Sequence, residues 1–250
     1  MSVYEGPLGR RAPSNYDHVS KYPLSALPTI VQPDKVPVVL GIDWYANFDS
    51  PVMDPDGTFW IGRDLNNLGV RRGGHALAAE PQAPGRGLWD RLSWWYWYDQ
   101  VSEGICVSEA VCRAQSLMNR VTYQPRPLYD EAQLRDPFPG EDYDGTLVSA
   151  GLDVARTKGL IRARKGERHR LEKGALADLD SRWDAGQGIV ANRWATSVDE
   201  VLQVLGQAGR DYIILLNSWG NKYPHRVRMP AETLGMLMQN GAEVGIVTDR

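Results

Sequence analysis

Apolar residues recur along the chain in two rhythms, a short β-branched one and a helical one. Val36–Trp44 (VPVVLGIDW) is apolar and β-branched and predicts a strand. Gly73-Gly74-His75-Ala76-Leu77-Ala78-Ala79 predicts a short strand approached through a glycine pair. Gly188–Trp194 (GIVANRW), Tyr212–Leu216 (YIILL) and Val244–Val247 predict three more. From Cys106 the apolar positions Val107, Ala110, Val111, Ala114, Leu117 and Met118 repeat at i, i+3, i+4 spacing. They predict the clearest helix of the chain, beginning near Ser102–Ile105. A second helix is expected from Leu147 to Lys158, with Thr146 as N-cap and Gly159 as C′ residue. Ser197-Val198-Asp199-Glu200 reads as a capping box that opens a helix through Leu205. Ala231–Gln239 predicts a short amphipathic helix closed by Asn240-Gly241. Asp49–Gly57 and Pro81–Gly87 read as loops.

The pattern divides the chain coarsely. Residues 1–35 are rich in Pro, Ser and charge, have no period, and predict an extended arm. Residues 36–250 read as one domain. Its strands lie in 36–80 and 186–250 and its main helices in 95–180, which predicts an α+β fold. No internal repeat is visible.

Composition narrows the function classes. The chain has 250 residues, enough for a core without covalent staples, and 42% of them are hydrophobic. A net charge of −3 argues against a nucleic-acid partner, although Arg162–Gly174 is a local basic stretch, read as a solvated face. Neither a run of ~18 apolar residues nor the apolar core of a signal peptide is present, so no membrane partner is expected. The two cysteines, Cys106 and Cys112, make neither a disulfide framework nor a Cys-rich zinc site. No metal and no cofactor is expected. Nine Trp and eleven Tyr stand against three Phe, and six of these rings lie between Trp89 and Tyr98. Such rings suit a core or cleft wall more often than a stacking platform.

Three local patterns carry chemistry. Cys106 opens a helix, whose N-terminal partial charge favours a thiolate. Gln100, six residues earlier, can donate its side-chain amide to an oxyanion, with the Cys106 backbone N–H as second donor. His75 follows Gly74 on a strand where a cleft wall can approach closely. Asn217 ends a buried strand beside Ser218-Trp219-Gly220. Its amide oxygen can fix a histidine tautomer while the Trp219 indole keeps water away. Each residue has a plainer alternative. A cysteine is commonly core, which is the reading for Cys112, and Asn217 can be a turn residue. His225, His169 and His18 are rivals to His75, and Asp99 and Glu103 read as solvated.

Asp99–Cys106 (DQVSEGIC) resembles the Gln-to-Cys segment of papain-like cysteine peptidases. NSWG (Asn217–Gly220) resembles their asparagine motif, and GGHAL their histidine strand in bacterial and phage members. The resemblance spans about 36–250. It implies Cys106 as nucleophile, His75 as general base and acid, Asn217 as orienter of the histidine, and Gln100 as oxyanion donor. Trp219 would cover the His–Asn contact and Gly74 would support the cleft. It also implies a helical subdomain packed on an antiparallel, barrel-like one, with the cleft between. The substrate would be a peptide or protein. The family runs Cys, His, Asn, whereas here His75 precedes Cys106 and no histidine lies between Trp194 and Asn217. A circular permutation is therefore expected, with the His75 strand pairing with Tyr212–Leu216. Val107-Ser108-Glu109 also departs from the Trp-Ala-Phe usual after the cysteine. The overall pattern is similar to papain-like proteins encoded by phages of actinobacteria. That implies a phage or virion protein partner, and a place in the host cytoplasm or on the virion. A peptidoglycan amidase or isopeptidase using the same triad, and a papain-fold protein with an interaction role alone, remain open alternatives.

Overall fold

The computed structural model describes residues 35–82, 98–137, 144–164, 167 and 179–249. The expected arm, the tryptophan cluster, His18, His169 and most of the basic stretch lie outside the described residues. Among the described residues there are eight strands and five α-helices, and the fold is α+β.

β1 (Val38–Tyr45), β2 (Val52–Met53), β3 (Phe59–Trp60) and β4 (Arg71–Ala79) come first. α1 (Cys106–Asn119), α2 (Pro125–Gln133) and α3 (Val148–Thr157) follow. The chain closes with β5 (Ile189–Trp194), α4 (Val198–Val204), β6 (Tyr212–Leu216), β7 (Arg226–Pro230), α5 (Ala231–Gln239) and β8 (Glu243–Asp249). The strands form one mixed sheet in the order β2-β3-β7-β6-β4-β1-β8-β5. Its pairings are antiparallel except for β3 on β7, which are parallel at Trp60 and Arg228. The sheet is open. The barrel-like closure expected from the resemblance is not formed among the described residues, because β2 and β5 sit at opposite ends of the strand order.

Both faces of the sheet are covered, and strand alternation decides which residue goes where. Val38, Leu40, Ile42 and Trp44 of β1 pack with Leu77, Ile213, Leu215, Val227 and Met229, under Val201 and Leu202 of α4 and Leu234 and Leu237 of α5. Val39, Ala76 and Ala78 turn the other way and pack against Val107, Ala110, Val111 and Ala114 of α1, with α2 and α3 behind. The small side chains Ala76 and Ala78 let α1 lie close on β4.

Several caps follow from the sequence, with local adjustments. Ser197 accepts from the Glu200 N–H as expected, but the Glu200 carboxylate returns to the Thr196 N–H. Thr146 does not cap α3; its hydroxyl donates to Asp136 and Leu147 stands at the N-cap. Gly159 does close that helix with φ +86°. α2, β7 and the pair β2–β3 lie where the sequence pattern gave no element. β2 and β3 are two-residue strands, and α2 begins with prolines at its first positions, which fit a helix start but break the apolar period.

Candidate functional site

The site grows out of an interrupted strand pairing. β4 and β6 pair antiparallel, as expected, but only at Ala78↔Leu216 and Ala79↔Leu215. Beyond Leu216 the chain leaves the sheet as Asn217-Ser218-Trp219. The N-terminus of α1 stands at this opening. A small cavity between the parting strands and α1 is lined by Ala76, Asn217, Ser218, Tyr98, Glu109 and Arg113 among others. The backbone N–H of Ala76, past the end of the β4–β6 ladder, donates to the Cys106 sulfur. The thiol therefore lies against the His75–Ala76 peptide.

His75 and Asn217 meet as expected. His75 Nε2 and Asn217 Oδ1 are 2.8 Å apart, and an amide oxygen can only accept, so Nε2 carries the hydrogen. The Ser218 backbone N–H also donates to Asn217 Oδ1, at 2.7 Å. Trp219 lies over the pair, its ring 4.8 Å from the His75 ring, and Trp44 of β1 meets His75 edge-on at 4.9 Å. Gly74 pairs with Asp43 of β1 in the ladder just before His75 and is half-buried.

Cys106 is the first residue of α1, so its backbone N–H has no intrahelical acceptor. Gln100 is held at both ends of its amide. Ser218 Oγ donates to Gln100 Oε1 at 3.0 Å, and Gln100 Nε2 donates to the Glu103 carbonyl at 3.1 Å. The backbone adds a bond from Gln100 N–H to Ser218 O at 2.9 Å. The turn between Gln100 and α1 is fixed further on. Gly104 N–H donates to Asp144 Oδ1 at 2.7 Å, and a Cβ on Gly104 would sit 2.6 Å from the Asp144 carbonyl. Gly220 has φ +55°, and a side chain there would strike the Asp99 carboxylate. Neither acidic residue is merely solvated: Asp99 is exposed but caps Val101 N–H, and the Glu103 carboxylate pairs with Arg126.

Electrostatics correct one expectation. The helix N-terminus does not leave Cys106 as a ready thiolate. Burial pushes its thiol up to about 12, and Glu109 and Asp144 push the same way, against the donors Ala76 and Val107. Burial likewise takes His75 down to about 4, although Asn217 and Asp49 oppose it. The resting pair is thus neutral thiol and neutral imidazole. Cys112 lies at zero exposure in the core, as expected, and burial raises its thiol too. His225 presents its backbone carbonyl to Asn217 N–H at 3.1 Å, and its imidazole is lowered to about 3 by burial.

Sequence reasoning passed over Ser218, Trp44 and Tyr223 as members of the site. Ser218 was visible as a neighbour of Asn217. Trp44 and Tyr223 carried no signal beyond being aromatic, since their roles depend on strands meeting in space. Among the described residues, no helix is long and apolar enough to cross a membrane, and no group of three or more His, Cys, Asp or Glu could hold a metal ion. No protein-family model matches the chain, and no curated protein matches it.

Proposed function

We propose that the protein is a papain-like cysteine hydrolase that cleaves amide bonds of a peptide or protein through Cys106, His75 and Asn217. The observation that carries this reading is the His75–Asn217 bond at 2.8 Å, made by the strand whose next residue donates to the Cys106 sulfur. With hydrogen on Nε2, the imidazole keeps its lone pair on Nδ1.

In the proposed reaction His75 Nδ1 takes the thiol proton as the Cys106 sulfur attacks the carbonyl carbon. The negative charge moves to the carbonyl oxygen, where Cys106 N–H and the second hydrogen of Gln100 Nε2 receive it. The imidazolium returns its proton to the amine nitrogen, the C–N bond breaks, and a thioester remains. Water then gives a proton to His75 and its oxygen to the acyl carbon, and the thiol is released. A neutral resting pair fits general-base attack, in which the proton moves with bond formation. Asn217 and Trp219 hold and shield the base throughout. The permutation adds no obstacle, since such sites are defined by geometry and not by chain order.

Depth favours a second reading. Cys106 is 7% exposed and His75 4% exposed, which suits a papain-fold protein that only binds partners, such as a component of a phage particle. One experiment separates the two. Iodoacetamide labelling at pH 7, read at Cys106 with Cys112 as internal control, should slow by about 10²–10⁴-fold in His75→Ala. A Cys106 rate equal to that of Cys112 and indifferent to His75→Ala would overturn the hydrolase reading. Incubation with peptides and with cell-wall fragments then separates a peptidase from a peptidoglycan amidase.

A further inference from the structure

The turn that leads into α1 holds one peptide unit by both of its polar ends. The carbonyl of the Glu103–Gly104 peptide accepts from Gln100 Nε2 at 3.1 Å, and its N–H donates to Asp144 Oδ1 at 2.7 Å. Each contact admits one orientation. A carbonyl oxygen can only accept, so it draws the Nε2 end of the Gln100 amide and repels the Oε1 end. The Asp144 carboxylate likewise accepts, so it draws Gly104 N–H and repels the Glu103 carbonyl. The Ser218 hydroxyl, 3.0 Å from Gln100 Oε1, can donate or accept and so does not choose between the amide ends. Glycine at 104 leaves both peptide orientations open to the backbone, and the choice falls to the acceptor facing its N–H.

We infer that Asp144 is a positioning residue: by holding Gly104 N–H it fixes the Glu103–Gly104 peptide, whose carbonyl in turn sets the Gln100 amide with Nε2 as the oxyanion donor. Reversal of this peptide would turn Gly104 N–H toward Gln100, draw Oε1 to it and carry Nε2 away from the oxyanion. Asp144 is itself held. The Tyr129 hydroxyl donates to the same Oδ1 at 3.1 Å, and it accepts from Gln133 Nε2 at 2.7 Å and from Gly145 N–H at 3.2 Å. With two donors on its oxygen, its own proton is left for Asp144. The Asp144–Gly145 peptide also lies directly against Gly104, where a Cβ would collide with it. Tyr129 belongs to α2 and Asp144 precedes α3, so the turn carrying Gln100 is aimed by the helical side of the molecule, across 40 positions of sequence.

The inference rests on Gln100 serving as oxyanion donor in the proposed hydrolase, and two probes of Cys106 in the full chain test it. Iodoacetamide alkylates the sulfur by displacing iodide, with no charge developing on a carbonyl oxygen. Para-nitrophenyl acetate acylates it: the sulfur–carbon bond forms, the carbonyl oxygen carries the charge in passing, nitrophenolate leaves, and the thiol proton goes to His75 and on to solvent. Both are read at Cys106 by peptide mapping, with Cys112 as control. Asp144→Ala should lower acylation about ten-fold relative to alkylation, the worth of a hydrogen bond to a charged group. Asp144 is also among the groups that hold the Cys106 thiol up, so alkylation should hold or quicken. Asp144→Asn keeps an acceptor that Tyr129 still fixes, and should recover most of the loss. In a Gln100→Ala background, Asp144→Ala should add nothing. If Asp144→Ala disturbs the fold, seen as labelling of Cys112, Tyr129→Phe carries the test, with acylation about three-fold lower and alkylation unchanged. Both probes falling together, an unchanged ratio, or an equal loss when Gln100 is already alanine overturns the inference. So does an unmutated protein acylated at Cys106 no faster than Gln100→Ala. If alkylation ignores His75→Ala while the ratio still follows Asp144, it is the hydrolase reading that fails and the positioning role that stands.

Discussion

His75 and Ala76 are neighbours in sequence and face opposite sides of the sheet. On the His75 side, Trp44, Trp219 and Tyr223 build an aromatic cage with hydrogen bonds aimed at one imidazole and one amide. On the Ala76 side the residues are small, and a helix lies close against the strand. One side fixes orientation through large rings and specific donors. The other brings a sulfur to the backbone by leaving out side-chain bulk. A single β-strand thus joins two kinds of precision, because alternate residues must face opposite ways.

The sharpest way to break this contrast is Trp219→Ala. It empties the cage over His75 and should cost about 3–5 kcal/mol in a denaturant titration. Water reaching the His75–Asn217 bond should also bring the His75 pKa back toward its ordinary value, which an NMR titration would register. An unchanged pKa would show that the cage does not dry the pair.

Acid should come next in size. His75 ordinarily titrates near 6.5 and is held at about 4 when folded. The unfolded chain therefore binds the extra proton first, between those values. Stability from the neutral histidine is complete above about pH 6.5 and is lost as pH falls to about 4, a change on the order of 3 kcal/mol at most. His75→Gln should remove its own share of that slope, while His225, also held low by burial, leaves one of the same sign. Cys106 gives the opposite limb: its contribution is complete below about pH 9 and lost as pH rises toward 12. Denaturation midpoints across pH 3–11 would check both limbs, and equal slopes in wild type and His75→Gln would contradict the assignment.

The smallest effect belongs to the helix side. Ala76→Leu should overpack the contact with α1 and cost about 1–3 kcal/mol. It should lift the helix from the strand and speed Cys106 labelling while leaving the His75 tautomer unchanged. A shift in that tautomer would show that the two sides are not independent.

Much of the local structure was legible in the sequence. The α1 periodicity, the β6 run and the span of α5 appear where the apolar pattern puts them, because each element buries one face. The same pattern passed over β7, since Arg226, Arg228 and Pro230 alternate with only Val227 and Met229. It also missed α2, whose prolines mask its period. Cys106, His75, Asn217 and Gln100 were each visible as residues suited to one chemistry. Their partners were less so: the Ser218 bond to Gln100 joins residues 118 positions apart, and the Tyr223 bond to Phe48 spans 175. No local spacing encodes such distances.

The sequence by itself determined the α+β class, the helix that Cys106 begins, the strand that carries His75, and the asparagine that ends β6. Those follow from short-range periodicity and from donor and acceptor types. Tertiary structure alone decided that the sheet stays open, that α1 enters where β4 and β6 part, and that the thiol and imidazole rest neutral. Burial sets the last of these. Dielectric surroundings come from the whole packed molecule, and a helix N-terminus read from sequence carries no record of how deeply it will be covered.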